Sequence, residues 1–223
     1  MLRHVYERAR KAKGLEEVAI ATPDRVIAET ARDFGARVLL TADTHLSGTD
    51  RLAEAARLLG LDDDAIVVNI QGDEPLLDPV SIEAVFAPLC ADRNLPMSSL
   101  MCPCPPHERD NPACVKVVCA QNGNALYFSR ARVPFPRNPS GENTASVMQH
   151  VGLYAYRNHF LQTYAALPPT PLERAEGLEQ LRVLENGYRI RMVRVETAPI
   201  GVDTPDDLAR ARQMLAGFSP PNT

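Results

Sequence analysis

The sequence predicts an α/β domain, with a parallel sheet and helices on both faces. Three observations predict it. Short apolar, largely β-branched runs alternate with amphipathic stretches from residue 2 to residue 91. An acid or hydroxyl stands directly before proline at Asp78-Pro79 and Thr204-Pro205, which is how a helix is started. An Asn-Gly pair at Asn122-Gly123 divides two apolar runs, which signals a hairpin.

Taken in order, residues 2–13 read as a charged amphipathic helix, 17–21 ("EVAIA") as a strand and 24–34 as a helix. A strand follows at 37–41 ("RVLLT"), then a helix at 50–60 and a strand at 65–70. Asp78 caps a helix at 79–91 with Pro79 as its first residue. The register is unusual in that the chain opens on a helix, with no strand before it. The stretch "CVKVVCAQNGNALYFSR" (114–130) reads as two hairpin strands. "PFPRNPSGENTAS" (134–146) is a polar, Pro-rich loop of functional length. Residues 150–157 read as a strand, 158–166 and about 173–185 as helices, and "RIRMVRVE" (189–196) as a half-exposed strand. The last helix runs from Pro205 to Leu215 and "GFSPPNT" is a frayed tail. There are no internal repeats or low-complexity blocks.

With 223 residues, 45% of them hydrophobic, the chain can bury the core of one large domain. Its net charge of −4 lacks the basic balance of a nucleic-acid binder. No apolar run approaches the roughly 20 residues of a membrane span, and "MLRHVYERARKAKG" is a charged helix and not a signal peptide. The five cysteines read as reduced thiols of a cytoplasmic protein. Cys102 and Cys104, with His107, Cys114 and Cys119 nearby, have the residue types of a zinc site. Their spacing is irregular and Pro-rich, so buried or incidental thiols are the better reading.

The stretch that asks for a function is "IVVNIQGDEPLLDP" (66–79). A core strand ends there in Gln71-Gly72-Asp73-Glu74, and ligands of open α/β sheets bind outside the carboxyl ends of strands. Asp73 is either part of a solvated turn or a hard oxygen ligand for Mg²⁺ on nucleotide phosphates. In "GVDTPDDLARAR" (201–212), Thr204 serves as N-cap, and Asp206 and Asp207 favour the helix dipole without further function. Asp203 precedes the cap and follows Gly201 and Val202 out of a strand, so it and Asp73 are candidates to share one cation.

"NIQGDEP", "THLSGTDR", "NPACVKVV", "ALYFSRARVP", "HVGLYAYR", "PLERAEGLEQLRVLENG" and "GVDTPDDL" together resemble the 3-deoxy-manno-octulosonate (Kdo) cytidylyltransferases across residues 1–215. The resemblance implies a Rossmann-like nucleotide-diphospho-sugar transferase fold with a mixed, mostly parallel sheet. It implies a cytoplasmic homodimer that uses CTP, Kdo and Mg²⁺ for lipopolysaccharide synthesis. It implies that Asp73 and Asp203 bind the metal. Ser47, Gly48, Thr49 and Arg51 resemble the segment that frames the cytosine and ribose, although Ser47 or Thr49 also suits a plain helix N-cap. Gln71, His150, Tyr154, Glu179 and Gln180 resemble the sugar side. Arg130 is placed to pair with the Kdo carboxylate, or else forms a surface ion pair. Glu173, Glu176 and Glu179 recur at helical spacing, and at least one of them reads as part of a solvated face. On this reading residues 1–112 form a nucleotide-binding half, 113–200 a sugar-binding and dimerisation half, and 201–223 the metal loop and last helix.

This chain departs from the family pattern in two places. The family opens with a strand and a glycine loop bearing Arg and Lys that grips the triphosphate, and Met1–Val5 aligns just after that loop. The expectation is therefore that an in-frame upstream extension encodes this unit. The family's Ala-Thr-Asp reads Ala21-Thr22-Pro23 here, with Asp24 one place later. Two other readings compete: a CMP-sialate synthetase-like enzyme, and a sugar-binding or dimerising remnant that does not turn over.

Overall fold

A computed structural model of the chain describes residues 1–45, 47–137, 146–198, 201–202 and 204–217. The expectations for Asp203, for most of the 134–146 loop and for the tail fall outside these residues. The chain forms two compact units. The first comprises Met1–Gly60, Asn69–Glu83 and Pro199–Thr223; the second comprises Leu61–Val68 and Ala84–Ala198. These units divide the chain differently from the halves read from the sequence. The 71–78 turn and the C-terminal helix group with the N-terminal segment.

The first unit begins with α1 (Leu2–Ala9), which is shorter than the expected 2–13. Lys11 and Ala12 bond three residues back, to Arg8 and Ala9, and this tightening ends the helix. β1 (Ala19–Thr22) and β2 (Arg37–Leu40) pair in parallel, from Ala19↔Arg37 to Thr22↔Leu40. Between them runs α2 (Arg25–Asp33), capped by Asp24, whose carboxylate accepts the Val26 and Ile27 N–H groups at 2.7 and 3.1 Å. Capping thus occupies the Asp24 carboxylate. Tyr6, Ile20, Ala31 and Ala36 form the core, with Leu2, Val18, Phe34 and Val38 packed around it. α3 (Gly48–Leu58) packs on β1. α8 (Pro205–Gly217) starts where the sequence predicts. Thr204 and Asp207 cap it reciprocally, since Asp207 accepts the Thr204 N–H at 3.0 Å and Thr204 Oγ1 accepts the Asp207 N–H at 3.2 Å.

The second unit is built on a six-stranded mixed sheet. Its strands are β3 (Ile66–Asn69), β4 (Met97–Pro103), β5 (Lys116–Cys119), β6 (Ala125–Ser129), β7 (Met148–Arg157) and β8 (Ile190–Arg194). The order is β6-β5-β7-β4-β8, and β3 also pairs with β7. β4 pairs in parallel with β8, while the β4–β7, β5–β6 and β5–β7 ladders are antiparallel. The sheet is mixed, as expected, but carries more antiparallel pairing than the βα alternation alone implies. The reason is local: β5 and β6 are a hairpin, and β7 enters antiparallel between β5 and β4. Gly123 supplies the hairpin's positive φ of 80°.

Two elements differ from expectation. β4 was not read as a strand, yet it is paired on both sides, and Met97, Ser98, Ser99 and Leu100 are fully buried. A strand buried on both faces shows no alternation, and the prolines that follow mask its end. The single helix expected at 173–185 is two, α6 (Pro171–Glu176) and α7 (Gln180–Glu185). Gly177 stands between them at φ 62°, ψ 43°, a left-handed conformation that ends α6. The helical spacing of Glu173, Glu176 and Glu179 therefore does not describe one face. α4 (Pro79–Ala91) and α5 (Asn158–Ala166) form as predicted, and Asp78 accepts the Val80 N–H at 3.0 Å.

Candidate active site

In the first unit, the N-terminus of α3 carries the expected nucleotide residues. Ser47 is the N-cap, and its hydroxyl accepts the Asp50 N–H at 3.2 Å. Gly48 is exposed, and a Cβ there would meet nothing within 4 Å. Thr49 is buried. Arg51 Nη1 donates to Thr41 Oγ1 at 2.8 Å and to the Ala42 carbonyl at 3.0 Å. One turn on, Glu54 accepts the Ala42 N–H at 2.9 Å and pairs with His45 Nε2. The His45 and Ala42 hydrogen bonds hold the Glu54 carboxyl below its usual range. Arg51 and Glu54 together fix the 41–45 loop that leads into the Ser47–Thr49 segment. His45 and Glu54 were not singled out from the sequence. The signal available was a His in the loop and an acid one turn after Arg51.

The turn after β3 carries the acids. Gln71 and Gly72 are exposed, and Asp73 and Glu74 are half-buried. The Val202 N–H donates to the Asp73 carbonyl at 3.0 Å. This brings the residue preceding Asp203 against the Asp73 turn; Asp203 itself lies outside the described residues. Glu74 is the unexpected member. Its Oε2 is buried and has no hydrogen-bond partner among the described residues. Burial, with the Asp73 charge adding, pushes its carboxyl up to about 7. No three His, Cys, Asp or Glu side chains converge among the described residues. Mg²⁺ commonly takes one or two carboxylates and completes its shell with water and substrate phosphates. Asp73, half-buried at the strand end, supplies one such carboxylate, whereas the Glu74 oxygen is buried on a carboxyl that favours its neutral form.

In the second unit, His150 and Tyr154 come together, with ring centroids 5.4 Å apart. Phe128 packs edge-on against His150 at 5.0 Å. Burial pushes the His150 pKa down to about 3, so the ring is neutral at physiological pH. Burial, with Glu179 adding, raises the Tyr154 phenol, which stays protonated. Arg130 donates through Nε to the Glu176 carbonyl at 2.6 Å, through Nη1 to Pro112 at 3.0 Å and through Nη2 to Gly177 at 3.3 Å. Three of a guanidinium's five N–H groups are thus engaged, and the other two have no partner among the described residues. The surface ion pair considered for Arg130 gives way to a clasp on backbone carbonyls. Glu176 accepts the Arg130 N–H at 2.9 Å and the Ser129 hydroxyl at 2.7 Å. Glu179 is exposed just before α7, and its carbonyl accepts the Tyr164 hydroxyl at 2.8 Å. Gln180 opens α7 and is buried.

Cys102, Cys104 and Cys114 are buried, Cys119 is half-buried and Cys90 is exposed. Cys104 and Cys114 are both buried, with sulfurs 3.8 Å apart. Burial pushes Cys114 up to about 12, with Cys104 adding, and burial also raises Cys102 and Cys119. Lys116, fully buried, donates to the Asn111 and Cys114 carbonyls at 2.8 and 2.5 Å and ties down the loop before β5.

Comparison with known proteins bears on the same residues. A family model described as Cytidylyltransferase matches residues 1–190. The 3-deoxy-manno-octulosonate cytidylyltransferase of Syntrophotalea carbinolica is 46% identical over 225 residues, covering 98% of this chain and 89% of that protein. The protein of the same name from Syntrophobacter fumaroxidans is 50% identical over 217 residues, covering 97% of this chain and 86% of its own length. Among solved structures, a CMP:2-keto-3-deoxy-manno-octonic acid synthetase complexed with CTP superposes with a TM-score of 0.91 at 39% identity. That match covers 98% of this chain and 88% of the solved one. The fold is the Rossmann-like α/β fold of these nucleotidyltransferases, and the chain belongs to the cytidylyltransferase family, alongside relatives that bear the Kdo cytidylyltransferase name.

Proposed function

We propose that this chain transfers CMP from CTP to Kdo, giving CMP-Kdo and pyrophosphate for lipopolysaccharide synthesis. The observation that carries this reading is 50% identity to a Kdo cytidylyltransferase over 97% of the chain. The anomeric 2-hydroxyl oxygen of Kdo attacks the α-phosphorus in line. The bond from that phosphorus to the pyrophosphate oxygen breaks, and the hydroxyl proton passes to solvent. No covalent enzyme intermediate forms, so the protein acts by positioning and by charge. The Ser47–Arg51 segment frames the nucleoside. The free N–H groups of Arg130 meet the Kdo carboxylate, and neutral His150 and protonated Tyr154 meet sugar hydroxyls without adding charge. Asp73 and Asp203 would hold Mg²⁺, which would offset triphosphate charge and favour ionisation of the attacking hydroxyl. The Val202–Asp73 hydrogen bond, which draws the residue before Asp203 to the Asp73 turn, supports that assignment. A homodimer and a cytoplasmic location complete the reading.

Pyrophosphate release, measured across CTP, ATP and GTP with Kdo or sialic acid, tests the reaction. CTP with Kdo is expected to be the best pair, and faster turnover with sialic acid sinks the Kdo assignment. Asp73→Asn is expected to lower turnover by about 100-fold or more, with melting near that of the wild type. A variant retaining full Mg²⁺-dependent rate removes Asp73 from the metal site.

A further inference from the structure

Ser99 lies at the centre of β4 with no solvent exposure. It stands where the β4–β7 ladder breaks register. Ser99 faces Tyr154, but the next residue, Leu100, faces Val151, so Gly152 and Leu153 of β7 have no partner on β4. This two-residue bulge shortens the path between the sugar-side rings. In a regular strand His150 and Tyr154 stand four residues apart, about 13 Å. Here they face Met101 and Ser99, only two ladder steps apart on one face of the sheet. That placement brings their rings to 5.4 Å. Bulges commonly re-aim side chains beside active sites.

The Ser99 hydroxyl holds this arrangement. Its Oγ lies 2.9 Å from the Leu153 carbonyl, 3.2 Å from the Val151 carbonyl and 2.9 Å from His150 Nε2. Two of these neighbours are carbonyl oxygens, which only accept. A hydroxyl has a single proton to give. If Nε2 took that proton, both carbonyls would face oxygen lone pairs in a buried setting, which is costly. The satisfied arrangement has Ser99 donate to Leu153 and His150 Nε2–H donate to Ser99. The neutral ring then carries its proton on Nε2, and Nδ1 is left as a bare acceptor. No donor meets Nδ1 among the described residues.

We propose that Ser99 is a positioning residue for the sugar half: it staples the β7 bulge and fixes the Nε2–H tautomer of His150, so that Nδ1 accepts a hydrogen bond from a hydroxyl of the sugar acid. The substrate part of this assignment rests on the Kdo reading above; the tautomer part does not. A serine within an apolar run was its sequence trace, hidden because the strand itself was not recognised.

The test combines ring ¹⁵N chemical shifts with steady-state kinetics on the wild type, Ser99→Ala and Ser99→Thr, using His150→Gln to assign the resonance. The wild type is expected to show one Nε2–H tautomer, and Ser99→Ala a mixture of tautomers. Ser99→Ala is also expected to raise the KM for Kdo about tenfold, as loss of one well-placed hydrogen bond does, while the KM for CTP stays put. Ser99→Thr, which keeps the hydroxyl, restores both. A wild-type ring protonated on Nδ1 overturns the proposal, and needs no variant to fold. So does a Ser99→Ala enzyme with unchanged tautomer and unchanged KM for Kdo. A wild type with the Nε2–H ring but no Kdo-dependent pyrophosphate release overturns the substrate part alone.

Discussion

Arg51 and Glu54 stand one turn apart on α3 and grip the same loop, one through Thr41 and the Ala42 carbonyl, the other through the Ala42 N–H and His45. Arg51 does this with a single Nη1, and its remaining N–H groups meet no acceptor among the described residues. Glu54 is an acceptor and can only brace. The two roles separate in kinetics. Arg51→Ala is expected to raise the KM for CTP about tenfold, the loss of a charge-assisted contact plus the brace. Glu54→Gln, which keeps an acceptor oxygen, is expected to change it only about two- to threefold. Equal effects would make Arg51 a brace and nothing more. At this scale the sequence marks a candidate where chemistry and position coincide: Asp73 stands at a strand end among acids, and Arg51 follows an N-cap serine. Glu54, Glu176 and Ser99 were not legible, because each acts on backbone groups that only the folded chain brings near.

Helices announce themselves by their caps, and α2, α4 and α8 start at Asp24, Asp78 and Thr204, where local chemistry places them. Strand β4 does not, because a strand buried on both faces loses the alternation that would mark it. The break at Gly177 was also missed, since the glutamates on either side keep a helical spacing across it. That break has an energetic consequence. It folds α7 back so that Arg182 meets Glu173 in a largely buried, bidentate pair, with Nε 2.8 Å from one carboxylate oxygen. Burial raises the Glu173 pKa, but the Arg182 hydrogen bond and the Thr170 N–H outweigh it, and the net shift is downward. A carboxyl whose folded pKa lies below its unfolded value stabilises the fold above the unfolded pKa of about 4.3. The contribution is lost as pH falls through the folded pKa. Glu173→Gln is therefore expected to cost about 2–3 kcal/mol at pH 7, where the Arg182 charge loses its partner. The cost should shrink below about pH 4, where the wild-type carboxyl is itself protonated. Thermal melts from pH 3 to 8 check this, and a cost that does not vary with pH would mean that the charge of Glu173 contributes nothing.

Across the whole chain the site residues sort by compact unit. Ser47, Gly48, Thr49, Arg51, Gln71 and Asp73 all fall in the first unit, and Arg130, His150, Tyr154, Glu179 and Gln180 in the second. Gln71, assigned to the sugar side by resemblance, is the exception that groups with the nucleotide residues. The order of motifs carried the overall fold, because each motif ends or begins an element. The grouping was not readable, since residues 61–68 and 84–112 join the second unit through sheet pairing and long-range clasps. Arg157, for example, reaches the Asp64 carbonyl at 3.1 Å and the Asp92 carbonyl at 3.2 Å. The grouping makes a prediction about ligand-induced stability. A ligand that binds only the folded chain stabilises it by about 2.7 kcal/mol at 100 times its Kd. For a chain of this length that corresponds to a rise in Tm of about 5–11 °C. CTP with Mg²⁺ is expected to give a shift of that order, and ATP with Mg²⁺ much less. Chelating the metal is expected to remove most of the CTP shift, because on the proposed assignment Asp73 then faces the triphosphate without a cation between them. Any shift produced by Kdo alone should survive chelation, since no metal ligand is proposed in the second unit. Equal shifts for CTP and ATP would refute the nucleotide role of the Ser47–Arg51 segment, and a CTP shift indifferent to chelation would refute the metal role of Asp73.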